Sequence, residues 1–574
     1  MKKILLLMFL VFNFAILMAE RISYVVNFVG LEDPETLEAL KSASQLIALQ
    51  KKKPSSAQAL KFRAESDFPS LLKILQNYGY LEAELDLQME KLQVLYAVNI
   101  QISPGPRYQI EKYEALPALE LGLCLEGPLI AQKILDTDLK LLKLLSEKAY
   151  PFAAIKKREI IADGETKTAK VLVEVEKGPL SYFGPVTVNG LKNVRPQFVE
   201  KKLEWEEKQP YNSRIVSDVQ KELMDTGLFN SVYITHPQIP DENQSLPMNV
   251  DLVEAKHKSI NVAASFQMTY GPGIAFGWEN RNLGGMGRKL SLSLDLAQHN
   301  HSGTASLISP DFARPGQDFM IQAEAASEEV TAFDDRNYHL LVQIQRPFGE
   351  SLKGSLGVKP EVMKIKKSAG NGTFFVLQVP FSLKYSTSDN ALHATSGNSF
   401  EYQAVAALNI KEKSNPYLSQ NFTYCSYIPM FNKDFLVLAQ RVCLQTIFSS
   451  TLDVIPVPKR ILGGSEDILR GYRYATVSPL ENGLPLGGRS AIYYSLEPRF
   501  RFSESIGIVP FFDFGNVFNS SLPDFKGKWV KSLGLGFRYF SFLGPLRIDL
   551  AFPLDRRQDL DPSWWIFASV GQSF

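Results

Sequence analysis

The chain has 574 residues, and its 62 lysine and arginine residues nearly balance 61 aspartate and glutamate residues, which gives a formal net charge of +1. A chain of this length exceeds one compact core and indicates several domains. The balanced charge provides no overall field that would attract nucleic acid. Three cysteines, Cys124, Cys425 and Cys443, are too few for a disulfide scaffold and lack metal-site spacing. No catalytic triad or phosphate-binding glycine loop occurs either, so we expect neither an enzyme nor a cofactor.

Residues 1–19 have the pattern of a secretory signal peptide. Lys2 and Lys3 precede a largely apolar run, residues 4–18, which is followed by the small residue Ala19. The run is shorter than the ~20 residues of a spanning helix. An N-terminal membrane anchor is the alternative. No later segment has 18 uncharged apolar residues, so a membrane location would require a closed β-barrel.

The first half of the chain, up to residue 257, repeats one pattern of strand, Gly-Pro turn, strand and helix. Gly105-Pro106 follows one such strand, and Gly178-Pro179 follows the equivalent strand of the next copy. A third strand, residues 249–253, lies about one period further on but lacks the Gly-Pro turn. The repetition predicts three small modules, over residues 20–105, 106–178 and 179–257.

The third module shows its elements most clearly. A strand over residues 186–188 is followed by a helix near Phe198, a second helix from Ser213 to the stop at Gly227, and a strand over residues 228–234. This strand-helix-helix-strand-strand order resembles the polypeptide-transport-associated (POTRA) domain. The resemblance implies that the modules hold unfolded client chains at an exposed sheet edge. A generic α+β domain without a client is the alternative.

Residues 258–574 follow a period of two. Leucines 290 to 296 alternate with polar residues, and the segment 546–552 repeats the pattern. At ~10 residues per tilted strand, this half predicts an all-β transmembrane barrel of about sixteen antiparallel strands. A soluble β-sandwich also alternates, but the signal peptide and the aromatic pair Trp564-Trp565 favour the barrel.

A long loop, residues 460–489, separates two of the late strands. Loops of this length are commonly functional. It contains Arg470, Gly471 and Tyr472 in succession, four strands before the end of the predicted barrel. An Arg-Gly-Tyr triplet in this position resembles the signature of the BamA/TamA superfamily of outer-membrane assembly factors, which include surface-antigen-type barrels. Residues 544–554 and 570–574 match that superfamily as well.

The resemblance implies that the loop folds back into the barrel and that Arg470 meets acidic residues of the wall. Apolar residues of the neighbouring strands face outward, so Glu497 and Asp513 face the interior by alternation. Arginine can bind a carboxylate through two parallel hydrogen bonds, and Gly471 would allow close approach to the wall. The alternative is a salt bridge that fixes the loop without any part in moving clients.

The number of modules is most similar to that of the TamA branch, as is the segment 226–232. This resemblance implies unfolded outer-membrane or autotransporter clients, outer-membrane lipid, and a TamB-like periplasmic partner anchored in the inner membrane. It places the barrel in the bacterial outer membrane and the modules in the periplasm. A two-partner-secretion pore is the alternative function; a passive porin would leave the modules unexplained.

Insertion is expected at a seam between the first and last strands, because only there can a closed barrel expose an edge without breaking a hairpin. The first strand is predicted over residues 259–268, including Val262. The last strand is predicted over residues 564–574, including Val570, Gly571 and Phe574. The glycine is expected to weaken local order.

A disulfide is left open by the sequence. Cys425 and Cys443 lie on neighbouring predicted strands around a turn near residues 432–434. A cross-strand bridge between them would be compatible with an oxidising periplasm. Strand register, which the sequence does not supply, decides whether the bridge can form.

Overall fold

The computed structural model describes residues 22–574 except residues 94, 119–121, 268, 369, 411–414, 432–434, 542–543 and 559. The predicted signal peptide therefore lies outside the described residues. The chain divides into two compact units, one of residues 1–189, 202–222 and 232–251, the other of residues 190–201, 223–231 and 252–574. Among the helices of the described part, none is both long and apolar enough to cross a membrane.

The first module is a three-stranded sheet covered by helices. Its sheet order is β1-β3-β2, with β1 parallel to β3. Asp67 is buried and accepts a hydrogen bond from Ser44 Oγ at 2.7 Å, so the short helix α2 is fixed at its N-terminus. Its elements are β1 (Tyr24–Val29), α1 (Pro34–Ala43), α2 (Gln45–Ala48), α3 (Ala57–Asn77), β2 (Glu84–Lys91) and β3 (Tyr96–Ser103).

The second module has a four-stranded sheet and one long helix. Its sheet order is β5-β4-β7-β6, so the almost entirely exposed β6 is an edge strand. Apolar residues of the helix and of β7, such as Leu141 and Val171, are fully buried between the two layers. Its elements are β4 (Gln109–Leu116), β5 (Gly127–Pro128), α4 (Ala131–Glu147), β6 (Ala154–Asp163) and β7 (Thr168–Glu176).

The third module has the element order expected from the sequence. Its sheet order is β8-β10-β9, with β8 parallel to β10. Helix α6 buries Val219 and Leu223, four residues apart and so on one helical face. Its elements are β8 (Tyr182–Asn189), α5 (Pro196–Glu200), α6 (Ser213–Asp225), β9 (Phe229–Thr235) and β10 (Ser245–Glu254).

Glu254, the last residue of β10, binds the backbone of the turn after β8. We expect this contact to be sensitive to acid. Its carboxylate accepts hydrogen bonds from the amides of Lys192, Asn193 and Val194 at 2.7, 2.9 and 2.9 Å. Partial burial raises its pKa, but these hydrogen bonds prevail and lower the pKa to about 2, from 4.5. Because the folded-state pKa is the lower one, the stabilisation is complete above pH 4.5 and is lost as the pH falls towards 2.

We expect exchange of the three amides with solvent deuterium to accelerate, relative to unstructured amides, as the pH is lowered from 5 to 3. Glu254→Gln removes the charge but keeps the shape of the side chain, so its amides should exchange fast at both pH values. An equal pH response in wild type and variant would contradict the role of Glu254.

In the described residues, sixteen antiparallel strands form one sheet, in which each strand pairs with the next strand of that sheet along the chain. This agrees with the predicted count, and the α+β-then-all-β fold class is confirmed. Two short strands, β22 and β23, stand outside the sheet. The strands are β11 (Lys258–Gln267), β12 (Gly271–Leu283), β13 (Arg288–Ala297), β14 (Asn300–Ser309), β15 (Asp318–Glu329), β16 (Asp334–Phe348), β17 (Leu352–Lys366), β18 (Gly372–Ser386), β19 (Gly397–Asn409), β20 (Asn415–Met430), β21 (Leu436–Ser449), β22 (Leu480–Glu481), β23 (Leu484–Pro485), β24 (Ser490–Arg501), β25 (Ile506–Phe518), β26 (Val530–Ser541), β27 (Gly544–Pro553) and β28 (Trp565–Val570).

The sheet has an apolar outer face and an inner face that carries charge. On β27, Leu546 and Ile548 are exposed, whereas Arg547 and Asp549 are buried. This is the alternation expected of strands between lipid and an interior. Closure of the sheet by a ladder between β11 and β28 is not seen in the described part of the chain and stays a prediction.

The cysteines form no disulfide. Cys425 and Cys443 are both free and buried. Register explains this, since Cys425 lies opposite Arg441 and Cys443 lies opposite Thr423. The two cysteines are thus diagonal neighbours, typically about 7–8 Å apart, whereas the Cα atoms of a disulfide usually lie less than about 7 Å apart. The predicted turn at residues 432–434 lies outside the described residues.

Candidate functional site

A long loop lies against the inner face of the sheet. We define the lumen loop as residues 450–489, which connect β21 to β24 and include a turn of 3-10 helix, Val457–Lys459. Its Ile455, Val457 and Leu469 are buried in one apolar cluster with Met363 of β17 and Tyr493 of β24. The loop therefore occupies the concave side of the sheet and contacts strands far apart in the strand order.

Arg470 is the charged centre of this loop. Its side chain is fully buried. Nε and Nη2 donate to the two carboxylate oxygens of Asp513 at 2.8 and 2.7 Å, and Nη1 donates to Glu497 Oε1 at 2.6 Å. The guanidinium carbon lies 3.6 Å from the ring centroid of Phe511. The structure thus places Arg470 on both of the carboxylates that alternation directs inward.

A third carboxylate, Asp549 of β27, was missed by the sequence argument. Arg470 Nη1 lies 3.2 Å from Asp549 Oδ2, and Arg538 of β26 lies 2.5 Å from Asp549 Oδ1. Both side chains are completely buried. The alternation that directs Glu497 inward applies equally to Asp549 between Ile548 and Leu550, so the signal was present in the sequence.

The buried charges around the arginine form a connected network. Arg499 adds a second cation to Glu497, at 2.9 Å. Buried ions are tolerated only when each is paired, and removal of one partner commonly costs about 3–5 kcal/mol. The network joins the lumen loop to three strands, β24, β25 and β27, close to the end of the sheet.

The two residues after Arg470 fit the loop to the wall. Gly471 has a φ of +97°, and a Cβ at this position would lie 3.1 Å from the nitrogen of Pro553. Tyr472 is buried, and its hydroxyl donates to the carbonyl of Lys531 at 2.7 Å. Left-handed backbone and close approach both favour glycine. All three residues of the predicted loop motif thus lie against β26 or β27.

A second anchor holds the start of the loop on another part of the wall. Lys459 Nζ lies 2.9 Å from Glu361 of β17, and Gln378 of β18 donates to the same carboxylate. The carboxylate of Glu361 is 2% exposed. The two anchors lie on β17 and β25, and five strands of the sheet, β18 to β21 and β24, lie between them. Sequence reasoning missed this pair, because nothing local marks a lysine and a glutamate that meet across the interior.

The two predicted seam strands, β11 and β28, lie at the two ends of the sheet order, so each has one paired neighbour in the described sheet. Val262 on β11 is 65% exposed, and Ile260 is 77% exposed. Strand β28 pairs with β27 over residues 565–570 alone. The predicted last strand, residues 564–574, is therefore wrong at its end: the amide of Gly571 still donates to the carbonyl of Pro545 at 2.7 Å, but its φ is +96° and the residues after it leave the ladder. Met268, the expected end of the first strand, and the side chain of Val570 lie outside the described residues.

Phe574 does not lie in the seam ladder, where the sequence placed it. Its ring centroid is 4.7 Å from the guanidinium carbon of Arg441 and 5.1 Å from that of Arg499, and its ring stacks near Tyr427. These three residues belong to the inner face of β20, β21 and β24. The segment 571–574 thus turns towards the wall that holds the lumen loop.

Comparison with known proteins gives two family matches. A model described as Omp85 superfamily domain matches residues 282–574, and a POTRA model described as Surface antigen variable number repeat matches residues 181–255.

Similar individual proteins include two curated outer membrane protein assembly factors BamA. The chain is 23% identical over 545 residues to that of Nitratidesulfovibrio vulgaris, with 89% of this chain and 68% of the relative covered. It is 19% identical over 567 residues to that of Neisseria meningitidis serogroup B, with 86% and 71% covered. The fold resembles the crystal structure of BamA from Haemophilus ducreyi lacking POTRA domains 1–3, with a TM-score of 0.67, 17% identity, and 77% of this chain and 93% of that chain covered.

Proposed function

Because this chain belongs to the Omp85 superfamily, we propose that it is an outer-membrane protein assembly factor that promotes insertion of unfolded client proteins. The protein lies in the bacterial outer membrane, and its POTRA modules lie in the periplasm. The observation that carries the proposal is the buried network of Arg470, which fixes the lumen loop to β24, β25 and β27. The loop thereby stiffens the strands that precede the last strand.

Insertion at the seam would be driven by backbone hydrogen bonding. An edge strand presents unpaired N–H and C=O groups, which in lipid are costly until another strand pairs with them. In the described sheet, β28 pairs with β27 over six residues, the shortest ladder between neighbouring strands, and both β11 and β28 have one paired edge only. A client strand that pairs with β11 gains backbone hydrogen bonds, so the folding of the client itself drives insertion, and no covalent catalysis is required.

The POTRA modules would deliver the client. Strand β6 is an exposed edge, and Ile160 and Ile161 on it are 47% and 53% exposed. An extended client segment can add to such an edge through main-chain hydrogen bonds. The finer assignment is part of the proposal: a TamA-like factor with autotransporter clients and a TamB-like partner, which the three modules and the segment 226–232 favour.

The decisive experiment locks the seam. In a variant without native cysteines, Val262→Cys and Val570→Cys would be oxidised to a disulfide in liposomes, and the folding rate of an unfolded outer-membrane barrel would be measured. The reduced form should accelerate folding, whereas the oxidised form should not; reduction should restore the rate. The matched control is Leu533→Cys with Phe552→Cys, residues that face each other on β26 and β27, away from the seam.

An oxidised seam that retains full activity would overturn insertion at the seam. No acceleration in either form, combined with a client-dependent ion conductance, would instead support the secretion pore, in which the lumen loop acts as a plug. The control disulfide tests whether oxidation by itself disturbs the protein, because it joins two strands already paired within one hairpin.

A further inference from the structure

The residues after β28 form a short segment with its own contacts. We define the inward segment as residues 571–574, which begins at the left-handed Gly571. The amide of Gln572 donates to the carbonyl of Leu392 at 3.2 Å, and its side-chain oxygen accepts from Arg538 Nε at 2.7 Å. The inward segment is therefore held by β26 through a side chain and by the connection between β18 and β19 through its backbone.

Arg499 and Arg441 enclose the aromatic side chain of this segment. Arg499 Nη2 donates to the carbonyl of Phe574 at 2.8 Å, while both guanidinium groups lie near its ring. Arginine binds aromatic faces through the ring quadrupole, more strongly where water is excluded. Arg499 and Arg441 are 4% and 8% exposed, so these contacts are desolvated.

Two wall residues hold the inward segment and the lumen loop at the same time. Glu497 Oε1 accepts hydrogen bonds from Arg470 Nη1 at 2.6 Å and from Ser573 Oγ. Arg441 donates to the carbonyl of Asp467 in the loop and to the carbonyl of Ser573 at 3.4 Å. The loop and the segment are thus bound to one shared pair of buried, oppositely charged side chains.

We infer that Arg441 and Glu497 couple the lumen loop to the inward segment, so that release of either one promotes release of the other. Arg441 is then a positioning residue for insertion, which acts through the loop and the end of β28. The physical reason is burial: when the loop withdraws Arg470, Glu497 loses a cation, and its environment reorganises around Arg499 and Ser573. A partly satisfied buried network is unstable, so the second set of contacts weakens with the first.

The consequence for the seam rests on the proposed function. The inward segment continues directly from β28, whose ladder ends at Val570. While the segment is held, the end of the last strand is fixed to the inner wall. Displacement of the loop by a client would free the segment and let the seam strand move, which links client arrival to seam opening.

The coupling itself is tested without any client, by hydrogen–deuterium exchange of the full chain in lipid nanodiscs. Arg441→Gln should accelerate exchange both in the loop, residues 465–475, and in peptides covering the inward segment, by about tenfold or more. Arg470→Ala changes a residue of the loop only, and it should accelerate hydrogen–deuterium exchange in the inward segment. Ser573→Ala changes a residue of the segment only, and it should accelerate exchange in the loop. Because coupling is reciprocal, release of the loop and removal of the segment should each change the exchange of the other region by the same factor.

Deletion of residues 571–574 is the variant in which the segment is removed for that comparison. The matched control is Arg489→Gln. Arg489 is a loop arginine that donates to the carbonyls of Ser449 and Asn519 at 3.3 and 2.8 Å, and these partners do not include the shared pair, Arg441 and Glu497. It should leave the inward segment unchanged, and peptides of β13 and β14, which contribute no residue to the apolar cluster around the loop, should be unchanged in all variants. Fast loop exchange in Arg470→Ala with an unaltered inward segment would overturn the coupling. A failed insertion assay with intact coupling would overturn the proposed function alone.

Discussion

Replacing Arg470 with alanine is expected to release the lumen loop from the wall and to lower the rate of client insertion about tenfold or more. The substitution leaves the carboxylates of Glu497, Asp513 and Asp549 with less compensating charge in a buried site. Loss of one partner from such a network costs about 3–5 kcal/mol, enough to populate the released loop. Limited proteolysis within residues 460–489 would report the released state, and folding of a client barrel in liposomes would report activity.

Two further variants make this test specific. Arg470→Lys keeps the charge but cannot reproduce the two parallel hydrogen bonds to Asp513, so an intermediate loss is expected. Arg473→Ala removes a nearby arginine whose side chain is exposed and should have little effect. If Arg470→Ala releases the loop but inserts clients at the wild-type rate, the ion pair only fixes the loop and has no part in insertion.

Gly471→Val is expected to displace the loop from β27 and, like Arg470→Ala, to cause a large loss of client insertion. The residue has a φ of +97°, and backbone strain for a branched residue in this region is about 1–3 kcal/mol. Its Cβ would also lie 3.1 Å from the nitrogen of Pro553, a backbone atom that cannot rotate away. Both effects act on the residue that adjoins Arg470, so the carboxylate contacts are expected to break with it.

Gly483→Val is the matched control for this substitution. Gly483 lies in the same loop with a φ of +79°, and a Cβ there would have nothing within 4 Å. It therefore carries the backbone strain without the close approach to the wall. The difference between the two variants in loop proteolysis and insertion rate isolates the contact with Pro553. Equal effects at both positions would show that strain alone, rather than fit to β27, governs the loop.

Much of the site follows from local pattern. Alternation along β24 and β25 directs Glu497 and Asp513 to the inner face, and the structure brings both to Arg470. The same rule would have selected Asp549. The rule cannot predict the partners of Glu361 and Arg441. These partners, Lys459 and Asp467, lie in the forty-residue lumen loop, residues 450–489, and reach the strands only because the loop crosses the inner side of the sheet.

The sequence by itself determined the order of modules, the number of strands and the face on which each strand residue lies. These are local properties, since a period of two or of 3.6 residues assigns facing within one element. Only the tertiary structure decided the register that keeps Cys425 and Cys443 apart, the turn at Gly571 and the sharing of Glu497 between loop and inward segment. Those features depend on how distant strands curve around one loop, and such geometry is set by packing and buried charge across the interior rather than by any single stretch of chain.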